Sequence, residues 1–484
     1  MLLSKIARSS SAALPKCESA HTEPSFLYLH LITINPAGIV NRAIAVARNA
    51  WQIRSEGWLI LRIRSQLPLR ALVCAALAIG CLSARGFGDD GPRRWVTTWT
   101  TANAASDRPA SFSNQTIREM VHTTIGGSAV RLRLSNTFGT RTIRFDAVLV
   151  GLQATGVQAG GASLVPGSNH QVMFGGSPFI AIPEGAEVLS DPLSFSIGPQ
   201  QNLAISLFTS GETGPATVHG SAFQTNYVSA SGNFAADDSG KAFSEAAGAK
   251  TVGSWYFLSA VEVAATTSAQ GAVVGLGDSI TDGASTQTDK NERWTDVLAR
   301  RMLARHIELA VLNAGIGGNR VLTNSPCWGQ NALARLGRDV LAQAGIEAVI
   351  LFEGTNDIGQ PDAPATNTNP CRSRTQVTAD EIIAGYQQII ARTHARGLKI
   401  FGATILPYQG LAAWTASGEA KRVAVNQWIR TAGAFDGVID FDAALRDPAS
   451  PSHLAPQYDS GDHLHPGTAG HEAMGNAVDL GLFH

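Results

Sequence analysis

The chain has 484 residues, of which 44% are hydrophobic and 15% are charged, a composition typical of a globular protein and not of a disordered one. Its 37 basic and 38 acidic side chains give a net charge of −1, so the chain lacks the overall basic charge that gathers nucleic acid. At roughly 150 residues per domain, the length alone predicts about three domains.

The first 88 residues differ in charge from the rest of the chain. They carry a net charge of +7, which leaves −8 for residues 89–484 because the whole chain carries −1. Arg62, Arg64 and Arg70 precede an apolar run, residues 71–83, that ends in small residues. This arrangement is typical of a secretory signal peptide, and the run is shorter than the roughly 20 residues that a membrane-spanning helix needs.

We therefore interpret residues 1–86 as a leader with a signal peptide around residues 62–86. The protein is then expected to be secreted or periplasmic, with no stable membrane span after processing. About 60 residues precede the signal peptide, which indicates a start site placed too far upstream. A membrane anchor and a lipidated Cys81 are the alternatives.

The cysteine usage agrees with export. Three of the five cysteines, Cys17, Cys74 and Cys81, lie in the leader. Cys327 and Cys371 remain as an even pair, which in an exported protein predicts a disulfide. Two free buried thiols are the alternative.

Residues 95–266 consist of short apolar runs separated by clusters of Gly, Ser and Pro. Val130–Leu134 is apolar at every second position, and residues 143–150, 203–208 and 256–261 are further predicted strands. No helical stripe occurs in this part. The pattern predicts an all-β sandwich, similar to a jelly roll.

Residues 271–484 change to apolar runs that alternate with amphipathic helices. The predicted strands are residues 272–276, 309–312, 348–352, 400–403 and 438–441, and the helix Asp380–Ala395 begins with a capping box of Thr378 and Glu381. This alternation predicts a flavodoxin-like three-layer α/β/α domain with a five-stranded parallel sheet. Residues 267–270 are a predicted linker between the two domains.

Polar segments follow the first three predicted strands, where ligands bind such sheets. Gly277-Asp278-Ser279 places a serine on a tight turn, as a nucleophile requires. Residues 313–319 are rich in glycine and leave backbone N–H groups free for a ligand, although neither a P-loop lysine nor a dinucleotide spacing is present. Asn356 can offer its amide to an oxyanion. Taken singly, each segment also fits an ordinary capped loop.

His465 follows Asp462 by three positions. This spacing lets the carboxylate bind Nδ1 of the histidine while Nε2 faces a serine. A metal site of His463, His465 and His471 with Asp459 and Asp462 is the alternative. It is disfavoured because His463 and His465 would diverge in an extended segment, and we predict neither a metal nor a cofactor.

Together these four blocks, Gly277-Asp-Ser279, Gly317-Gly-Asn319, Gly354-Thr-Asn-Asp357 and Asp462-x-x-His465, resemble those of the SGNH hydrolases, also called GDSL esterases and lipases. The resemblance covers residues 271–484. Residues 293–294, 319–322, 440–442 and 459–466 are similar to a secreted, acetylxylan-esterase-like branch. That branch also carries an N-terminal β-domain that begins with a Trp-rich strand like residues 95–99.

The resemblance implies a role for each matching residue. Ser279 would be the nucleophile, His465 the general base and then acid, and Asp462 the residue that orients His465. The oxyanion hole would consist of the N–H groups of Ser279 and Gly318 and the side chain of Asn356, with Gly317 as the alternative to Gly318. Ile280 replaces the leucine of the GDSL motif, a conservative change.

The resemblance also implies a secreted serine esterase, with O-acetyl groups on polysaccharide as the first choice of substrate. Asp278, Trp294 and Arg320 are candidate substrate contacts, although Trp294 also fits a core position and Arg320 an exposed one. A lipase or lysophospholipase and a general short-chain carboxylesterase are alternatives within the class.

A non-catalytic carbohydrate-binding protein is the alternative from another class, and the intact set of Ser279, Asn356, Asp462 and His465 disfavours it. The predicted partner is a small-molecule or polysaccharide ester, not a nucleic acid. No oligomeric state is predicted.

Overall fold

The computed structural model describes residues 94–106, 109–155 and 161–483, so the predicted signal peptide lies outside the described residues. Every described residue belongs to one compact unit.

The described residues form short strands up to residue 264 and alternating strands and helices from residue 271. The strands are β1 (Trp95–Thr100), β2 (Gln115–His122), β3 (Val130–Ser135), β4 (Ile143–Phe145), β5 (Ala147–Leu152), β6 (His170–Gln171), β7 (Ile180–Ile182), β8 (Glu187–Leu189), β9 (Asn202–Thr209), β10 (Val218–His219), β11 (Asn226–Ser231), β12 (Lys250–Val252), β13 (Trp255–Tyr256), β14 (Leu258–Ala264), β15 (Gly271–Gly277), β16 (Leu309–Gly315), β17 (Ile346–Phe352), β18 (Lys399–Ala403), β19 (Gly437–Ile439), β20 (Arg446–Asp447) and β21 (Ser450–Leu454). The helices are α1 (Ser279–Asp282), α2 (Trp294–Ala304), α3 (Ala332–Arg335), α4 (Thr355–Gly359), α5 (Ala379–His394), α6 (Ala416–Thr431), α7 (Phe441–Leu445) and α8 (Thr468–Ala477).

The N-terminal half consists mainly of two antiparallel sheets, in the orders β1-β14-β3-β8 and β12-β11-β2-β9-β5-β6. Arg131 and Arg133 alternate with the apolar residues of β3, and each forms an ion pair with the buried Glu262 of β14 at 2.6 Å. The alternating apolar residues of the two sheets meet in one hydrophobic core, which includes Leu132 and Leu134 of β3 and Leu203, Ile205 and Leu207 of β9. The predicted all-β sandwich is confirmed.

Two of the predicted strands in this half are interrupted. Asp146 separates β4 from β5, because its carboxylate accepts hydrogen bonds from the N–H and hydroxyl of Ser210. Phe257 separates β13 from β14 because its backbone is left-handed, with φ 60°. Neither break shows in the hydrophobic pattern, since the residues on both sides remain apolar.

The C-terminal half is built on one parallel sheet in the order β16-β15-β17-β18-β19. This is the flavodoxin-like order, with helices on both faces, and it confirms the predicted fold class. The fifth predicted strand ends earlier than expected, at Ile439. Asp440 follows it and caps α7 by accepting a hydrogen bond from the N–H of Ala443, so Phe441 begins a helix.

The predicted helix Asp380–Ala395 is confirmed almost residue for residue as α5 (Ala379–His394). Its capping box is formed: the Thr378 hydroxyl accepts from the N–H of Glu381, and the Glu381 carboxylate accepts from the N–H of Thr378. Ile382, Tyr386 and Ile389 form its buried face.

The two halves pack directly against each other. The N–H of Thr97 in β1 donates to the carbonyl of Ala344, just before β17, at 3.0 Å. Arg94 forms an ion pair with Glu347 at 2.7 Å. The hydrophobic core that fills the sandwich continues into the parallel sheet, where it includes Leu276 and Leu312. The sandwich is therefore part of the same folded body as the parallel sheet.

Cys327 and Cys371 form a disulfide, with their Cα atoms 5.3 Å apart. It joins the loop after β16 to the loop between α4 and α5, and the Ser325 hydroxyl reinforces it by donating to the carbonyl of Cys371 at 2.8 Å. The two cysteines are 44 residues apart. Because a disulfide reduces the conformational entropy of the unfolded chain, closing a loop of this length stabilises a fold by about 4 kcal/mol.

No helix in the part of the chain that the structure describes is both long and apolar enough to cross a membrane.

The C-terminal helix α8 packs against α2 around the fully buried His471. Its Nδ1 accepts from the N–H of Trp294 at 3.3 Å, and its Nε2 donates to the carbonyl of Ala284 at 3.1 Å. Burial lowers the pKa of His471 to about 4. The imidazole therefore stays neutral in the folded protein.

This burial predicts an acid-sensitive contribution to stability. Between pH 6.5 and 4 the unfolded chain takes up a proton at His471 that the folded chain does not, so the free energy of unfolding falls as the pH is lowered through this range. His471→Gln retains a donor for Ala284 but takes up no proton. We therefore expect the free energy of unfolding to fall by about 2 kcal/mol less between pH 7 and pH 4.5 in this variant than in the wild type. Urea unfolding at both pH values measures this, with the exposed His306→Gln as control. Equal pH dependence in all three proteins would contradict it.

Candidate active site

Ser279 lies on a tight turn directly after β15. Asp278 caps this turn, because its Oδ1 accepts from the N–H of Ile280 at 3.0 Å. Gly277 has no room for a side chain, since a Cβ there would overlap the hydroxyl of Thr281. The turn therefore holds the Ser279 hydroxyl at the carboxyl edge of the sheet.

The Ser279 hydroxyl faces His465 from the far end of the chain. Its Oγ lies 2.9 Å from His465 Nε2, and His465 Nδ1 lies 2.6 Å from Asp462 Oδ2. Because Nδ1 carries the proton that it donates to the carboxylate, Nε2 is left as the acceptor for the serine hydroxyl. The structure thus brings these three predicted residues into one chain of hydrogen bonds.

Asp462 is held in its charged form. Its Oδ1 accepts from the N–H groups of Leu464 and His465 at 2.9 and 2.8 Å. Burial by itself would raise the pKa of Asp462, but the hydrogen bonds from His465 and Leu464 outweigh it and bring that pKa well below its usual range. A permanent carboxylate keeps His465 in a single tautomer and orientation.

The loop after β16 presents two glycine N–H groups, and only one of them is available to a ligand. The N–H of Gly317 donates to Asp282 Oδ2 at 3.0 Å. The N–H of Gly318 has no acceptor within the described ranges. Gly318 has φ 76°, and a Cβ there would overlap the indole of Trp328, so both its conformation and its surroundings require glycine.

Asn356 lies on α4, after β17, and its amide is fixed from both ends. Nδ2 donates to Asp278 Oδ2 at 3.3 Å, while Oδ1 accepts from Gln360 Nε2 at 3.1 Å. Gln360 also donates to the carbonyl of Gly318 at 2.9 Å. The second hydrogen of the Asn356 amide remains free to face a ligand.

These groups surround one cavity of about 300 Å³. Ser279, Gly318, Asn356 and His465 line its polar side. Its other walls include Trp328, Tyr408, Leu411 and Leu464. A cavity of this size, in which polar groups converge beside apolar side chains, is typical of a site for a small ligand.

A second cleft, of about 550 Å³, lies beside this cavity and shares Gly317 and Trp328 with it. Residues 102, 104–106 and 218–221 of the N-terminal half line the cleft together with the disulfide. The sandwich thus forms part of the surface next to the candidate site.

Beneath the site, the fully buried Arg335 joins the ends of three strands. It donates to the carbonyls of Gly277 and Ala314 at 2.9 and 2.6 Å, and it forms an ion pair with Glu353 at 3.3 Å. Burial raises the pKa of Glu353 well above its ordinary value, although Arg335 opposes that shift. Burial likewise raises the pKa of Asp357 to about 7.

The three candidate substrate contacts lie below the cavity surface. Trp294 is fully buried and packs edge-to-face on Phe441. Arg320 is also buried and donates to the carbonyl of Asn324 at 2.6 Å. Asp278 is 2% exposed, and burial raises its pKa to about 6. None of them lines the cavity. They pack behind the site, where a ligand in the cavity does not contact them.

The side chains of the alternative metal site contact different partners and do not converge on one point. His463 Nδ1 lies 2.7 Å from Asp459 Oδ2, on the exposed side of the loop, whereas His471 points into the core. Within the described residues, no group of three or more His, Cys, Asp or Glu side chains is arranged to hold a metal ion.

Sequence reasoning missed several residues that shape the site. Gln360 stands four residues after Asn356, a helical spacing that places two amides on one face and could have indicated their contact. Arg335, Trp328 and the pair of His219 and Asp282 gave no comparable signal, because their partners are distant in the sequence.

Comparison with known proteins agrees with this geometry. Residues 276–473 match the model of the GDSL-like Lipase/Acylhydrolase family. No curated protein matches the chain.

Several solved structures are similar to part of the chain. An acetyl xylan esterase, AlAXEase, is 17% identical, with 43% of this chain and 96% of that chain covered and a TM-score of 0.32. A GDSL-like lipase from Bacteroides thetaiotaomicron is 19% identical, with 44% and 87% covered and a TM-score of 0.30. The hydrolase LAE5, from the metagenome of Lake Arreo, is 21% identical, with 45% and 96% covered and a TM-score of 0.33.

The family match contains all four sequence blocks, and it coincides with the parallel-sheet half that carries the candidate site. The parallel-sheet half therefore contains a GDSL-like lipase/acylhydrolase domain, the domain of the SGNH hydrolases, and this domain makes the protein a carboxylic ester hydrolase.

Proposed function

We propose that Ser279, His465 and Asp462 are the catalytic residues of this esterase, and that the N–H groups of Ser279 and Gly318 with the Asn356 amide form its oxyanion hole. The observation that carries the proposal is the continuous hydrogen-bond chain from Ser279 Oγ through His465 to Asp462, at 2.9 and 2.6 Å. The unpaired N–H of Gly318, in the wall of the same cavity, supports Gly318 over Gly317 as the donor.

In this mechanism Ser279 Oγ attacks the carbonyl carbon of the ester while His465 Nε2 takes the hydroxyl proton. The three donors stabilise the negative charge that develops on the carbonyl oxygen. The tetrahedral intermediate collapses to an acyl-serine, and His465 gives its proton to the departing alcohol. Water, deprotonated by His465, then attacks the acyl carbonyl carbon, and His465 returns the proton to Ser279 Oγ as the carboxylic acid is released.

For the substrate, we propose O-acetyl groups on a polysaccharide, as the motif resemblance implies. The cavity of about 300 Å³ can hold a short acyl group. The adjoining cleft of about 550 Å³, which the sandwich helps to line, is large enough for part of a bulky alcohol such as a sugar. Export to an oxidising compartment belongs to the same proposal, since a disulfide is stable there.

Replacing the nucleophile gives the first test. We expect Ser279→Ala to abolish turnover of p-nitrophenyl acetate with unchanged circular dichroism, because no oxygen remains to form the acyl intermediate. Ser285→Ala, at an exposed serine six positions later, serves as the matched control and should retain full activity. Activity of Ser279→Ala near that of the wild type would refute the assignment.

The oxyanion hole is tested at Asn356. Removing the amide in Asn356→Ala should lower kcat by about 10²–10³-fold, the usual cost of losing one oxyanion donor. Steady-state kinetics with p-nitrophenyl acetate measure this, and a thermal melt checks that the fold persists. A loss smaller than about threefold would assign the amide a structural role instead.

Chain-length preference and polymer deacetylation test the proposed substrate. We expect acetate release from acetylated xylan, and a kcat/KM for p-nitrophenyl acetate about tenfold or more above that for the octanoate, as a site that selects acetyl groups requires. Ser279→Ala is the control for spontaneous hydrolysis. Faster cleavage of the octanoate would favour the lipase alternative, and activity on acetate esters without acetate release from the polymer would favour a general short-chain carboxylesterase.

A further inference from the structure

His219 connects the sandwich to the candidate active site. It lies in β10, and its Nε2 reaches Asp282 Oδ1 in the C-terminal half at 2.9 Å. The two side chains are only 4% and 5% exposed. A buried contact between a histidine and a carboxylate across two packed halves is costly unless both groups are fully paired.

Both nitrogens of His219 act as donors. Nδ1 lies 2.8 Å from the carbonyl of Ala102, which can only accept, and Nε2 faces a carboxylate. The imidazole therefore carries both protons and a positive charge. Burial lowers the pKa of His219, but Asp282 and the Ala102 carbonyl outweigh burial and the nearby Arg293, so the pKa is raised above its ordinary value.

Asp282 transmits this contact to the oxyanion loop. Its Oδ2 accepts from the N–H of Gly317, the residue directly before Gly318. Asp282 also ends α1, the short helix that begins with Ser279. One carboxylate thus touches the histidine of the sandwich with one oxygen and the glycine loop with the other.

We propose that His219 is a positioning residue that holds Asp282, and through it the N–H of Gly317, so that the neighbouring Gly318 N–H points at the oxyanion. Through His219 the sandwich then contributes to the geometry of the oxyanion hole, in addition to lining the adjoining cleft. The inference rests on the proposed function, because it requires Gly318 to act as an oxyanion donor.

Two amide variants separate positioning from mere packing. His219→Gln places its amide nitrogen near the position of Nε2 and can still donate to Asp282, whereas His219→Asn places its amide near Nδ1 and reaches only Ala102. We expect His219→Gln to keep kcat for p-nitrophenyl acetate within about threefold of the wild type. His219→Asn should lose on the order of 10-fold or more in kcat with little change in KM, because a small displacement of a donor weakens transition-state binding.

Leu207→Ala provides the control for stability. Leu207 is buried in the sandwich core and has no contact with Asp282, so this variant should lower the melting temperature and leave kcat unchanged. A His219→Asn enzyme with wild-type kcat, or Gln and Asn variants with equal losses, would overturn the proposal. Ser279→Ala is assayed alongside: if it stays active, the proposed function fails and this inference with it, whereas an inactive Ser279→Ala beside a fully active His219→Asn overturns this inference alone.

Discussion

The guanidinium group of Arg335 ties together the ends of three neighbouring strands, and the candidate site is assembled on those ends. Arginine cannot give up its charge, so in the interior its N–H groups need acceptors of fixed geometry. The carbonyls that end β15 and β16 and the carboxylate that follows β17 supply them. The turn of Ser279, the glycine loop and the helix of Asn356 all start from these points, so their spacing follows from one buried cation.

Several buried carboxyl groups lie close to one another beneath the site. Burial raises the pKa of Asp278, Glu353 and Asp357 alike, which favours their neutral forms and limits the negative charge under the site. Asp462, by contrast, lies nearer to solvent and keeps its charge through hydrogen bonds. The protein thus holds one carboxylate charged beside the imidazole and restrains the charge of the others beneath it.

The sequence predicts those parts of the molecule that depend on neighbours along the chain. Three such local features agree with the structure: the alternation in Val130–Leu134, the capping box at Thr378 and the polar residues that follow the parallel strands. The spacing of Asp462 and His465 is local as well, and their contact follows from it.

What the sequence could not predict depends on partners far away in the chain. His219 and Asp282 are 63 residues apart, and Arg335 gathers acceptors from three different strands. Trp294 and Arg320 stand in motifs and were therefore candidates for substrate contact, but only the folded structure shows that they are enclosed. Whether a side chain is buried depends on which layers pack over it, and a single motif does not contain that information.

The crowding of Gly318 against Trp328 has a consequence for redesign of the enzyme. The indole separates the cavity from the adjoining cleft, and the same indole occupies the space that a side chain at position 318 would need. Exchanging Trp328 for a smaller residue to admit larger esters would also remove the wall that confines the glycine backbone. An exchange at Trp328 is therefore expected to change both the size of ester that is accepted and the catalytic rate. A library of variants at this position cannot alter one of these properties without the other.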